Sequence, residues 1–317
     1  MEMVNKKLEE IESGERLGTG GTEGIQASSP KTRPPETKSS IIEEIILRFK
    51  RGEINLPSLP QISIKFREMI NKGANLQEIG DLLKLDAAIS FKLISVANSV
   101  YYRGVVESKT LGQAISRLGL NTTRQYVEAI TIRSLYTTKN KKFVEFIEKL
   151  WEHSLSCAYA SQIVSEVLRL NLPDDAFTLG LLHDIGKLVL LQIFGELGTK
   201  GQLGEEVDRG ELFNALDTHH GKFGSALLKR WQFSSGYVQI AMYHENFEGA
   251  DPISKNLLVV HFANLLVKSM GYVLGQQTEI DVEDAGSTRL LELDSTMIGE
   301  IKDQVKGRME EMRGILA

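Results

Sequence analysis

Cysteine is almost absent from this sequence, since Cys157 is the only one among 317 residues. A single thiol excludes an internal disulfide framework and fits a reducing compartment, so we expect a cytoplasmic protein. Cys157 lies one helical turn after His153, which leaves a ligand role open. A small buried thiol is the more common role for such a residue.

The sequence also lacks a basic excess and long apolar runs. Its net charge of -5, without a long basic block, argues against bulk attraction to nucleic acid. No apolar run approaches the roughly 20 residues of a membrane span. Residues 1–10 are charged and lack the apolar core of a signal peptide. We therefore expect neither a nucleic-acid partner nor a membrane partner.

Sustained period-two alternation is missing, whereas apolar residues recur at helical spacing along most of the chain. Asn75, Asp86 and Thr110 each precede such a pattern and are predicted to cap a helix. We therefore predict an all-α fold with many short helices. Its later helices are predicted from Pro173 through Phe194, then over 211–217, 221–231, 236–246 and 252–271, with a final amphipathic helix from about 297.

Composition divides the chain into four segments. Residues 1–39 are poor in large apolar side chains and are predicted to form a disordered tail. A charged break at Lys139–Lys142 separates an N-terminal helical subdomain at 40–140 from a helical core at 141–271. Residues 272–317 supply a C-terminal linker and a helix. That helix is expected to pack against the body, with dimerisation as the alternative.

The most unusual stretch runs from Gly180 to Leu190. It places His183, Asp184 and Lys187 inside apolar sequence, which costs desolvation unless these groups are paired or bind something. A metal held by His183 and Asp184, with Lys187 facing a phosphate, would offset that cost. A core histidine beside a helix-capping aspartate is the alternative. All six histidines lie after residue 152, so several could meet at one site.

The order of these motifs resembles the HDOD family of bacterial signalling proteins. The first half matches it through Leu56-Pro57-Ser58-Leu59-Pro60, Asp86, Ala97-Asn98-Ser99-Val100-Tyr101-Tyr102 and Gln113-Ala114-Ile115-Ser116-Arg117-Leu118-Gly119. The second half resembles the related HD hydrolase core through Trp151-Glu152-His153-Ser154, Gly180 to Lys187, His220, Gly224, Trp231, Tyr243-His244 and His261-Phe262-Ala263-Asn264. The resemblance covers about residues 54–270.

The resemblance implies an all-helical fold in which several helices direct ligands to one buried metal site. In HD hydrolases a histidine, a His-Asp pair and a later aspartate hold one metal, further histidines hold a second, and activated water attacks a phosphate ester. The matching first-metal positions are His153, His183 and Asp184, and the second-metal positions are His220 and His244. Asp184 and Lys187 are the catalytic candidates, because Lys187 matches a residue that faces the substrate phosphate.

Two departures from the HD pattern weaken the predicted site. Asn264 occupies the position of the final aspartate, and an amide is a weaker ligand than a carboxylate. Glu245 replaces a frequent second histidine after His244 and remains a candidate ligand. The imidazoles with Asp184 would suit Mn²⁺, Fe or Zn²⁺ better than Mg²⁺. His219 and His261 are not expected to be ligands.

Two functions follow from this pattern. The first is a bacterial signalling module with a partly degraded metal site, which binds a signalling partner protein or a small phosphate-bearing ligand such as a nucleotide. It lacks efficient catalysis, since Asn264 replaces a carboxylate and the Gly-Tyr-Pro stretch of related cyclic-dinucleotide phosphodiesterases is missing. The alternative is an active metal-dependent phosphohydrolase. A homodimer remains open in either case.

Overall fold

Helices form the fold throughout the part of the chain that the structure describes. The computed structural model describes residues 41–172, 174–201 and 209–316, and no strand occurs among them. This confirms the predicted all-α class. The predicted tail at 1–39 lies outside the described residues, and the domain boundaries at 140 and 271 stay predictions.

Four short helices and one long helix open the described chain, and three of them begin where the sequence predicts a cap. They are α1 (Ile41–Lys50), α2 (Gln61–Asn71), α3 (Leu76–Leu83), α4 (Ala87–Ala97) and α5 (Leu111–Arg133). Asn75 and Thr110 form capping boxes with Glu78 and Gln113, and Asp86 accepts two backbone hydrogen bonds at the start of α4. These side chains satisfy amide groups that the first turn of a helix leaves unpaired.

A kink divides α5 into two straight halves. Gly119 has a φ of 74°, a left-handed conformation that only glycine adopts without steric cost. The two halves follow each other at this residue without an intervening loop. In the half after the kink most residues are buried in the core, among them Tyr126 and Val127.

Asn98 closes the loop that follows α4. Its Nδ2 donates to the Ser108 carbonyl at 2.8 Å, and its Oδ1 accepts from the Ser108 amide at 2.8 Å. Arg117 donates a further hydrogen bond to the same Oδ1 at 3.1 Å. One side chain therefore ties both ends of the 99–107 loop to α5.

Replacing Asn98 by alanine should lower the free energy of unfolding by about 2–3 kcal/mol. The change leaves the backbone groups of the buried Ser108 unpaired, and each lost hydrogen bond of this kind costs about 1 kcal/mol or more. Urea denaturation followed by circular dichroism measures the difference. Asn121→Ala, on the exposed side of α5, is the control and should change stability little. Equal stability of the two variants would contradict the prediction.

The second half supplies the remaining helices. They are α6 (Val144–Val167), α7 (Ala176–Leu182), α8 (Ile185–Thr199), α9 (Arg209–Arg230), α10 (Ser235–Tyr243), α11 (Lys255–Ser269), α12 (Gly286–Leu290) and α13 (Ser295–Leu316). Helix α6 is central, since α7, α11 and α13 all pack against it. Helix α9 packs between α8 and α10, so these elements converge on one buried region.

Three sequence-based expectations about the helices were wrong in detail. The helix predicted from Pro173 through Phe194 is two helices, because Asp184 leaves helical geometry with φ −101° and ψ 15°. No glycine or proline marks that break, so apolar periodicity ran straight through it. The helices predicted at 211–217 and 221–231 are one continuous α9. Helix α8 extends to Thr199, beyond the expected start of a polar connection at Gly195.

The same region shows that the expected absence of an apolar run of membrane-spanning length was wrong. Residues Ala176–Thr199 are long and apolar enough to cross a membrane by length and composition. In the fold this stretch is α7 followed by α8, and 89% of its apolar window is buried inside the protein. Its apolar character is therefore accounted for by its central position in the core.

The final helix packs on the body, as its amphipathic pattern predicted. Helix α13 contacts α4, α5 and α6, and Met309 and Met312 are buried. Arg308 lies over the ring of Tyr101 at 3.1 Å from its centroid and donates to the Tyr102 hydroxyl at 3.2 Å. The C-terminal helix thereby links the loop after α4 to α6.

Candidate metal centre

Five elements bring the predicted site residues together. His153 projects from α6, His183 and Asp184 form the turn between α7 and α8, and His220 lies on α9. His244 and Glu245 follow the end of α10, and Lys187 lies in the first turn of α8. All of these side chains except that of Glu245 are buried.

Asp184 stands at the centre of the cluster and divides it into two halves. Its Oδ2 lies 3.3 Å from Nε2 of His153 and 3.4 Å from Nε2 of His183. Its Oδ1 lies 3.2 Å from Nε2 of His244 and 3.6 Å from Nε2 of His220. Each carboxylate oxygen therefore faces its own pair of imidazoles. The turn between α7 and α8 makes this possible, because it points Asp184 inward beside His183.

The four imidazoles share one hydrogen-bonding pattern. Each Nδ1 lies 2.7–3.0 Å from a backbone carbonyl, and the four acceptors are Tyr272, Gly180, Leu216 and Ile240. A carbonyl accepts only, so the pattern places a proton on every Nδ1. In the neutral rings the lone pair is then on Nε2, and all four Nε2 atoms point at Asp184. Such backbone partners fix the tautomer and orientation of metal-ligating histidines.

The spacing of the nitrogens matches that of ligands on a common ion. Nε2 of His153 and Nε2 of His183 are 3.1 Å apart, and those of His220 and His244 are 3.3 Å apart. Two nitrogens that bind one ion at about 2.1 Å, with an angle between right and tetrahedral, lie about 3.0–3.4 Å from each other. The arrangement thus offers two donor sets, His153-His183-Asp184 and Asp184-His220-His244-Glu245.

The protonation of the cluster follows from its burial and its charges. Burial opposes ionisation of Asp184, but Lys187 and the histidines hold its pKa well below the usual range. Burial lowers the pKa of His153 to about 4, and burial together with Lys187 lowers that of His220 to about 3. Burial also acts on His244, yet its contacts with Asp184 and Glu245 raise its pKa to about 8. Burial acts on His183 too, yet Cys157 and Asp184 raise its pKa to about 9. A divalent cation requires an ionised carboxylate and neutral imidazoles, so its binding would release the protons that His183 and His244 carry below these raised pKa values.

Two lysines lie beside Glu245, the outermost member of the second donor set. Lys187 Nζ is 2.8 Å from Oδ2 of Asp184 and 3.6 Å from Oε1 of Glu245. Lys268 Nζ, from α11, lies 2.8 Å from the same Oε1 and 3.0 Å from Oε2. Glu245 Oε1 is also 3.6 Å from Nε2 of His244. Glu245 is therefore placed to serve either as a ligand or as a partner of both ammonium groups.

Buried polar atoms without a hydrogen-bond partner indicate that the protein alone does not complete the cluster. Oδ1 of Asp184 and both polar atoms of the Asn264 side chain are buried without a hydrogen-bond partner. Both residues are completely inaccessible. Orphaned buried polar groups are costly and call for a partner outside the chain, such as an ion or water. The donor sets and the orphaned Oδ1 of Asp184, which both sets surround, together fit a divalent metal.

Two histidines lie outside the cluster, as expected. His219 is only half-buried on the neighbouring face of α9, and neither donor set includes it. Nδ1 of His261 lies 2.8 Å from the hydroxyl of Ser287, and its ring packs against Phe247. Lys268 was missed by the sequence reasoning. It lies four residues after Asn264 on α11, so both are on one helix face, and this spacing could have revealed it.

The sequence was then compared with known families. The profile of the HDOD domain family matches residues 56–247, which is more than half of the chain. The chain belongs to the HDOD domain family. The matched HDOD region includes every element of the cluster except α11. No curated protein matches the chain.

Solved structures share the fold at low sequence identity. A candidate metal-dependent phosphohydrolase from Shewanella amazonensis SB2B has a TM-score of 0.68 and 18% identity, over 84% of this chain and 97% of its own. An HDOD domain protein of unknown function from Geobacter sulfurreducens has a TM-score of 0.66 and 23% identity, over 86% and 96%. A candidate signal transduction protein from Marinobacter aquaeolei VT8 has a TM-score of 0.61 and 19% identity, over 85% and 61%. These likenesses support the HDOD fold.

Proposed function

We propose that this HDOD protein is a bacterial signalling module whose buried cluster binds divalent transition-metal ions and, next to them, a phosphate-bearing ligand. One observation carries the proposal: four orientated Nε2 atoms meet the two oxygens of one buried aspartate in two pairs. If each histidine had only a structural role, nothing would require four separate backbone carbonyls to orient all four Nε2 atoms toward Asp184.

The residues of the proposed site have different roles. His153 and His183 would hold one ion with Oδ2 of Asp184, and His220 and His244 would hold a second with Oδ1. Lys187 keeps its charge, because burial is outweighed by Asp184, which raises its pKa above the usual range. It would supply a fixed positive charge for a phosphate. Divalent ions at such a site supply Lewis acidity that stabilises phosphate oxygens.

The donor chemistry favours particular metals. The proposed ligands are four imidazole nitrogens and one carboxylate, with Glu245 as an additional oxygen donor. Imidazole suits Zn, Fe and Cu, whereas Mg²⁺ prefers oxygen ligands and keeps several waters. Zn²⁺ and Fe²⁺ therefore fit the imidazoles, and Mn²⁺, which accepts carboxylate oxygen, fits through Asp184 and Glu245; these are the ions we propose for this centre.

Metal content per chain tests this proposal. The protein is purified without chelator or a metal-affinity tag, offered Mn²⁺, Fe²⁺ and Zn²⁺, desalted and measured by plasma mass spectrometry. We expect one or two ions per chain in the wild type and a marked loss in His183→Ala. Absence of metal from both proteins, with folding verified by circular dichroism, would refute metal binding.

A metal-dependent phosphohydrolase is the second candidate. The observation that favours it is the bridging position of Asp184, since sites in which two ions share a carboxylate commonly act on phosphate esters. Asn264 argues against efficient turnover, because it contributes no charge where the related hydrolases have a carboxylate. Hydrolysis of a phosphodiester by the metal-loaded wild type, lost in Asp184→Ala, would make this second function the correct one.

A further inference from the structure

The open side of the cluster carries two ammonium groups that meet on one carboxylate. Glu245 accepts from Lys268 through both oxygens, at 2.8 and 3.0 Å, and its Oε1 is 3.6 Å from Lys187 Nζ. The two lysines come from α8 and α11, which are far apart in sequence. Their ammonium groups therefore converge only through the tertiary fold.

Glu245 is the most exposed of these three side chains. The Lys187 side chain is 7% exposed and that of Lys268 is 22% exposed, whereas that of Glu245 is 39% exposed. Because Glu245 already pairs with both ammonium groups, a dissolved anion that binds both lysines competes with the glutamate carboxylate for them. An exposed ion pair of this kind contributes little to stability, so its loss costs the fold little.

We propose that Lys187 and Lys268 form a binding site for one phosphate-type oxyanion, and that the carboxylate of Glu245 fills this site until such a ligand displaces it. This site rests on the proposed function, since it would hold the phosphate-bearing ligand proposed above. It adds Lys268 as a second cation and Glu245 as a competitor within the protein. Carboxylate and phosphate oxygens accept the same charge-assisted hydrogen bonds from ammonium groups.

The surrounding charges explain why the competitor would matter. Asp184 already takes one hydrogen bond from Lys187, and the carboxylate of Asp217 on α9 acts electrostatically on the same groups. With Glu245 present, the carboxylates of Asp184, Glu245 and Asp217 all act electrostatically on Lys187, which holds its phosphate affinity low. Removing the Glu245 charge leaves Lys268 unpaired and available.

Binding of inorganic phosphate to the metal-free protein tests this inference. Metal is removed by chelator and dialysis, and titration is followed by calorimetry and by ³¹P NMR line width. Glu245→Gln should bind phosphate at least about tenfold more tightly than the wild type, because a unit charge a few ångströms away has been neutralised. Adding Lys268→Met to that variant should abolish the gain, and Lys268→Met alone should bind more weakly than the wild type.

Glu145→Gln is the matched control. It removes the same charge from the exposed Glu145–Lys149 pair, whose atoms are also 2.8 Å apart, and should leave phosphate affinity unchanged. The inference is overturned if Glu245→Gln binds no more tightly than Glu145→Gln, or if its gain survives Lys268→Met. Metal content is measured separately, so a chain that binds no metal but shows the phosphate gain would refute the metal centre and leave the anion site standing.

Discussion

Replacement of Asp184 by asparagine is expected to abolish metal binding at both halves of the cluster. Asp184 is the only carboxylate common to the two donor sets, and each of its oxygens faces a different pair of imidazoles. The amide keeps the shape of the side chain but loses the charge. Altering groups that merely support a ligand already costs about 10–100-fold in metal affinity, so losing the shared ligand should cost more than about 100-fold. Plasma mass spectrometry of the desalted protein measures the loss.

Single histidine variants separate the two halves. His153→Ala should remove the ion held by His153, His183 and Oδ2 of Asp184, and His220→Ala should remove the other. In a chain that binds two ions, each variant should therefore retain about half of the metal. His219→Ala is the matched control, because this residue is the direct neighbour of His220 but lies outside both donor sets. Full metal retention in Asp184→Asn, or equal losses in His219→Ala and His220→Ala, would contradict the shared-ligand arrangement.

Replacement of Gly186 by alanine is expected to destabilise the protein by at least about 3 kcal/mol. A Cβ at this position would overlap the backbone oxygen of His220 and would lie 2.6 Å from the amide nitrogen of Gly224. Both neighbours are backbone atoms of α9, so no side-chain rotation relieves the clash and the two helices must move apart. Overpacking of a well-packed interior usually costs about 1–3 kcal/mol, and a clash between backbones belongs at the upper end or beyond. Urea denaturation measures the change.

The same substitution should also disturb the metal centre. The oxygen that the new methyl group would meet belongs to His220, whose ring is part of the second donor set, so this histidine must shift with α9. Gly307→Ala is the control, since Gly307 lies on the exposed face of α13 with nothing within 4 Å of its added Cβ. That variant should gain about 0.5–1 kcal/mol from helix propensity. Wild-type stability in Gly186→Ala would show that the close approach of α8 and α9 is not required.

These expectations share a physical basis, because the centre exists only where helices approach closely. Asp184 meets His183 within its own turn, and its other three partners come from three different segments of the chain. The carbonyl that orients His153 belongs to Tyr272, which lies beyond the matched HDOD region and beyond α11. A residue outside the matched HDOD region therefore fixes the ring orientation of His153, a candidate metal ligand.

The class of the fold and several helix starts could be predicted from the amino-acid sequence alone. Caps such as Asn75, Asp86 and Thr110 act through amide groups two or three residues away, so their effect is local and readable without the fold. The spacing of apolar residues likewise placed α13 against the body. Histidines confined to the second half, together with the resemblance to HD hydrolases, indicated which side chains would meet.

Only the tertiary structure decided how those side chains meet. Neither a glycine nor a proline stands at the break at Asp184, and the side chains that surround this residue, His153, His220 and His244, come from distant parts of the chain. Local patterning also could not pair Lys268 with Glu245, which are 23 residues apart and lie on different elements. Periodicity records which face of a helix is apolar, whereas the distance between two buried polar groups depends on how all the helices pack together.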